Sequence, residues 1–147
     1  DEKDGSGVKI ARGCNSLTTF TTTVGEDFRF IKIVEALDLI KEDIVETFRN
    51  DYVGKVVNTY NNKQLLVAAI NSYLTSLQGN VLDPSGTNSV EIDLKKNAEY
   101  AKAHGSDISS MSSQRIREFN TGTYVYLAGS ITPVNSMEDL QLDFVLS

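Results

Sequence analysis

Residues 138–147 read EDLQLDFVLS. Leu140, Leu142, Phe144 and Leu146 fall on one side of an extended chain, and Gln141, Asp143 and Val145 on the other. Period-two alternation of this kind marks a half-buried β-strand. Chain ends are ordinarily loosely held, so such a strand raises the question of its pairing partner. Ordering eight residues costs about 8–16 kcal/mol in backbone entropy. Burying four large apolar side chains returns roughly 6–12 kcal/mol. The strand is therefore near balance alone and needs a prepared sheet edge to be stable.

Working back from this strand, Pro133 and the 134–137 segment VNSM separate it from TYVYLAGSIT (residues 123–132). Alternation there sets Val125, Leu127 and Ile131 opposite Tyr124, Tyr126 and Ala128, which predicts a second strand. Upstream, Ile33, Leu37, Ile40, Ile44 and Phe48 step by three or four residues. That spacing predicts an amphipathic helix over about 33–52, stopped by Gly54. Thr23 and Glu26 have the spacing of a capping box at its start. A second helix is expected over 62–77, burying Leu65, Leu66, Ala69, Ile70, Tyr73, Leu74 and Leu77. CNSLTTFTTTV (14–24) is Thr-rich and reads as a strand. VEID (90–93) is a short strand, LKKNAEYAKAHG (94–105) a helix stopped by Gly105, and SDISSMSSQ (106–114) a polar, mobile segment. Ser112 or Ser113 can cap a short helix, SQRIREF. The sum is an α+β fold: a mixed, mostly antiparallel sheet packed against two long helices. One sheet should hold both SLTTF and YVYLAGS, with Val34, Leu37, Ile44, Leu66, Ile70 and Leu74 largely buried.

The 147 residues suit one domain, and 40% are apolar. Fourteen basic residues against 20 acidic ones give a net charge of −6. That balance argues against a general nucleic-acid binder and against attraction to anionic membranes. The longest apolar run, LLVAAI, is far short of the ~20 residues of a membrane span. The single cysteine, Cys14, permits no internal disulfide. The opening DEKDGSG reads as a linker from an upstream region.

Chemistry-bearing motifs are scarce. His104, in a polar KAHGS context, reads as a surface histidine, and Cys14 with His104 cannot supply the about four ligands of a zinc site. Neither the glycines of DGSGVK nor Gly54-Lys55 has the spacing of a nucleotide-binding loop. The acidic pairs Glu42-Asp43 and Glu138-Asp139 are sequence neighbours, so their side chains diverge and do not share acid–base work. No catalytic, cofactor-binding or metal-binding residue is assigned.

GCNSLTTF, IVEALDLIKEDIVETFRNDYVGKVVN, NKQLLVAAINSYLTSL and the closing TGTYVYLAGSITPVNSMEDLQLDFVLS, taken in this order and spacing, resemble the C-terminal domain of contractile tail sheath proteins of phages, prophages and phage-tail-like bacteriocins. The resemblance runs from about Gly13 to Ser147. It implies a structural subunit with no enzymatic activity and no cofactor, polymerising around a tail tube through β-sheets shared between neighbours, and contracting to drive the tube through the cell envelope. Implied partners are neighbouring sheath subunits and the tail tube protein, with baseplate and tail terminator as further contacts and no nucleic acid or inserted membrane. The implied location is the virion or a phage-tail-like particle assembled in the bacterial cytoplasm. In domain terms, residues 1–12 are a linker, 13–139 the sheath α+β domain and 140–147 a C-terminal arm strand. Leu140, Leu142, Phe144 and Leu146 would then be the inter-subunit strand. The short helix over 112–119 would face the tube through Gln114, Arg115, Arg117 and Glu118. Two other readings stand beside this one: a small acidic α/β enzyme or ligand-binding domain, and another ring-forming tail component.

Overall fold

The computed structural model describes residues 8–12, 17–23, 26–135, 137 and 139–145, with backbone alone for residues before 32 and for Phe144. The chain divides into two compact units, residues 40–134 and residues 1–39 with 135–147. The long helix α1 (Glu26–Asp51) has residues in both.

In the 40–134 unit, α1 gives way to a tight turn in which the Tyr52 and Val53 amides donate to the Phe48 carbonyl. Gly54, at φ +73°, takes the left-handed conformation that the turn needs. Helix α2 (Tyr60–Ser76) begins at Thr59, whose hydroxyl accepts from the Asn62 amide at 3.2 Å. Leu66, Ile70 and Leu74 recur on its buried face and meet Ile40 and Leu82 to form the core. Ile44 and Phe48 from α1 and Tyr52 from the turn after it pack around them, as do Val125, Leu127 and Ile131.

A two-stranded antiparallel sheet joins β3 (Ser89–Ile92) to β4 (Leu127–Ser130), with Val90 opposite Gly129. Gly129 lies against the β3 backbone so closely that a Cβ there would sit 2.0 Å from the Ser89 carbonyl oxygen. On the outer edge of β3, the Asn71 side chain of α2 replaces a strand. Its Oδ1 accepts from the Val90 amide at 2.7 Å, and its Nδ2 donates to the Val90 carbonyl at 3.1 Å. Asp93 then caps α3 (Leu94–Ala103) by accepting from the Lys96 amide. Asp107 nucleates a 3-10 turn at Ile108–Ser110, and Ser112 caps α4 (Ser113–Arg117).

The second unit contains a three-stranded antiparallel sheet in the order β1 (Val8–Arg12), β2 (Leu17–Thr23), β5 (Asp139–Val145). Val8–Arg12, inside the stretch expected to be a linker, is a strand.

The α+β class, the antiparallel sheets and the helix pair packed on a sheet agree with expectation. Three details do not. SLTTF and YVYLAGS belong to separate sheets, because β2 pairs with β1 and β5 while β4 pairs with β3. Val34 and Leu37 are each 37% exposed, and Leu65 is 65% exposed. Among the described side chains of α1 the buried one is Ile40 rather than Val34 or Leu37, and the buried stripe of α2 is narrower than its apolar content. Finally, the 123–132 strand is only four residues long. Gly122 and Tyr124 give their carbonyls to the Asn58 side chain rather than to a ladder. The Thr23–Glu26 capping box involves side chains outside the described residues.

Candidate assembly surfaces

Strand β5 pairs with β2 over seven positions, from Leu17 opposite Val145 to Thr23 opposite Asp139. The sheet order leaves the outer edges of β1 and β5 without a strand partner among the described residues. Open edges of this kind are templates for further pairing. Leu140 and Leu142 remain 52% and 40% exposed, so the face expected to be buried is half covered within the chain. Leu146 lies outside the described residues, as does the side chain of Phe144.

The α4 surface is built differently. Asn97 of α3 is fully buried and donates through Nδ2 to the Ile116 and Arg117 carbonyls at 3.1 and 3.4 Å. This adds a side-chain donor to the last carbonyls of the helix, of which Ile116 also accepts from the Phe119 amide. On the exposed side, Gln114 Nε2 donates to Glu118 Oε2 at 2.7 Å, and Arg117 donates to Gln114 Oε1 at 2.7 Å. Gln114 also reaches the Tyr60 hydroxyl at 3.3 Å. Three of the four residues expected to face a partner thus form one network. Arg115, also exposed, caps nothing and joins none of these bonds.

A third feature has no signature in the sequence. An open cavity of about 420 Å³ lies among the α1 C-terminal end, the 53–58 turn, the start of α2 and residues 122–125. Lys63 reaches it from α2. This lysine is only 4% exposed, and its Nζ donates to Thr121 Oγ1 at 2.7 Å. Thr121 in turn donates to the Tyr124 carbonyl. Burial holds the Lys63 ammonium below the usual lysine range. Read as a sequence position, Lys63 is one polar residue near a helix start; only the tertiary closure of residues 121–125 buries it.

His104 caps α3, stacks on Tyr100 with ring centroids 4.0 Å apart, and has Nδ1 2.8 Å from the Tyr100 carbonyl. Cys14 lies outside the described residues. Among the described residues no cluster of three His, Cys, Asp or Glu side chains is arranged to hold a metal ion, and no helix is long and apolar enough to cross a membrane.

Comparison with known proteins identifies the family. Residues 23–147 match the family model of the phage tail sheath C-terminal domain. The chain is also 42% identical over 136 residues to the tail sheath protein of Clostridium phage phiCD119, an alignment covering 92% of this chain and 38% of that protein. The chain therefore spans less than half the length of this relative. A match that takes in both long helices, the β3–β4 sheet and the terminal strand leaves one assignment: this chain belongs to the phage tail sheath C-terminal domain family.

Proposed function

We propose that the chain is the C-terminal domain of a contractile sheath subunit, a structural and non-catalytic part that polymerises around a tail tube and contracts to drive the tube through a cell envelope. The observation that carries this reading is the terminal strand. Within the chain β5 completes a seven-residue register with β2, while Leu140 and Leu142 stay partly exposed. In the polymer the same register passes to a neighbouring subunit: β5 of one copy takes its place beside the sheet of the next. Exchange of identical elements conserves every ladder bond, so it is a low-cost route to assembly. The isolated chain folds its own strand back.

Neighbouring sheath subunits and the tail tube are the proposed partners, with assembly in the bacterial cytoplasm before incorporation into the particle. The α4 network supports a tube-facing role. Exposed ion pairs are worth ~0–1 kcal/mol each, so a contact through Arg115, Arg117 and Glu118 holds by number and releases when subunits rotate outward. The direct test is electron microscopy of the longer parent protein expressed with its tube. Helical sheaths that shorten and widen on triggering support the proposal. Monomers, or rings of fixed diameter that never contract, would overturn it.

A further inference from the structure

We propose that residues 94–124 form a module that opens from α2 as one body while the helical core stays folded, and that a polar clasp, costly to keep shut, holds it closed. That this opening frees α4 for work in a sheath rests on the sheath reading; the module and its clasp do not.

The module leaves the β3–β4 sheet and returns to it at one point. The Asp93 amide donates to the Tyr126 carbonyl at 2.9 Å, just beyond the pair of Ile92 with Leu127. Between these ends the parts hold one another. Asn97 of α3 bonds the Ile116 and Arg117 carbonyls, and Phe119 meets Tyr100 edge-on with ring centroids 6.3 Å apart. The Gly122 backbone passes so close to Tyr100 that a Cβ there would sit 2.8 Å from its hydroxyl oxygen. None of residues 94–124 belongs to the core of Ile40, Leu66, Ile70, Leu74 and Leu82, or to the apolar side chains packed on it. Segments with few apolar contacts to a core are the ones that open below the global unfolding energy.

The bonds that join the module to the start of α2 are polar. Asn58 Nδ2 donates to the Gly122 and Tyr124 carbonyls at 2.7 and 2.9 Å, Lys63 donates to Thr121, and Gln114 reaches the Tyr60 hydroxyl. The 420 Å³ cavity runs along the same seam, with Val57 and Asn58 on one side and Gly122 and Thr123 on the other, so the joint has little packing to lose. Two groups of the clasp are worse off closed than open. Lys63 is 4% exposed, and no carboxylate among the described residues lies against its ammonium. Asn58 Oδ1 is buried with no hydrogen-bond partner. Water satisfies both once the seam parts, so closure carries two desolvation costs that opening removes.

Native-state hydrogen exchange of the 147-residue chain, resolved by NMR, tests the module. The hydrogen-bonded amides of α3 and those of Ile116, Glu118 and Tyr124 should share one protection factor, at least about tenfold below that of Leu74 in α2. Asn58→Ala removes two bonds of the clasp and should lower the shared factor about tenfold more, with Leu74 unchanged. Lys63→Met keeps the side-chain bulk and removes the buried charge, so it should raise the shared factor, by about threefold or more. A purely structural lysine would lower it instead. Protection equal to that of Leu74, unrelated factors in α3 and α4, or a fall on Lys63→Met would each overturn the proposal. In the longer protein, Lys63→Met should raise the temperature at which extended sheaths contract. An unchanged temperature would overturn the link to α4 and leave the sheath reading intact. Failure of the unsubstituted longer protein to polymerise would overturn the sheath reading and leave the module standing on its exchange pattern.

Discussion

Removing residues 139–147 tests where β5 does its work. Seven of these residues pair with β2, and ordering them costs about 7–14 kcal/mol. The ladder makes roughly seven hydrogen bonds at about 0.5–1.5 kcal/mol net each, on the order of 4–10 kcal/mol. Leu140 and Leu142 are about half covered, so together they add about 2–3 kcal/mol. The gain and the cost cancel to within a few kcal/mol. The core of Ile40, Leu66, Ile70, Leu74 and Leu82 lies in the other unit. Truncation of the 147-residue chain should therefore shift the cooperative urea transition, followed by far-UV circular dichroism, by no more than about 3 kcal/mol. The same truncation in the longer protein should abolish sheath polymers on electron-microscope grids. Loss of the cooperative transition in the truncated chain would refute the reasoning, because the strand would then be holding its own domain together. Polymers of normal length would refute it from the other side.

Leu74 is 1% exposed, and Leu74→Ala should cost about 2–5 kcal/mol in the urea titration; Leu37→Ala, at a 37% exposed position, should cost roughly 1 kcal/mol or less. Gly129→Ala should destabilise the β3–β4 sheet by about 1–3 kcal/mol, since the new methyl meets backbone that cannot step aside, and hydrogen exchange at Val90 and Leu127 should accelerate. The Tyr73 hydroxyl donates to Asp43, and burial together with that carboxylate pushes its pKa up to about 12. A raised folded-state pKa on an acid keeps the proton on the native form, so the stabilisation is whole below the unfolded value near ~10 and is lost as pH rises from there through about 12; ultraviolet titration of Tyr73→Phe should lack the most alkaline tyrosine step. Charge reversal at Arg115 and Arg117 should leave the fold melting as before and reduce sheath assembly on tubes; normal extended sheaths from that double variant would remove α4 from the contact.

The helices were legible because their signals are local. Leu66, Ile70 and Leu74 repeat at helical spacing, and Ser112 stands where a cap belongs; the caps Thr59 and Asp93 were not read from the sequence. The terminal strand was legible for the same reason, through alternation over seven residues. Strand partnership was not: SLTTF and YVYLAGS look equally suited to one sheet, and only long-range pairing separates them. Exposure on α1 was misread at Val34 and Leu37 because an apolar stripe states which face is sticky, not how far along the helix a core extends. Lys63 and Asn58 were illegible for a sharper reason. Their importance comes from residues 121–124, about 60 positions away, closing over them.

Asn71 bears on the fidelity of construction. The strand-exchanged assembly proposed above would be exposed to promiscuous joining, since every bare strand is an eligible splice. By filling the donor and acceptor of Val90 with its own amide, Asn71 acts as an insulator on one side of the β3–β4 ribbon. Growth by strand addition at that point is forbidden without any charge or proline being spent on it. Among the described residues, edges without a strand partner remain at the rims of the β1–β2–β5 sheet and on the far side of β4, so wrong joining at this one edge is prevented by a single side chain.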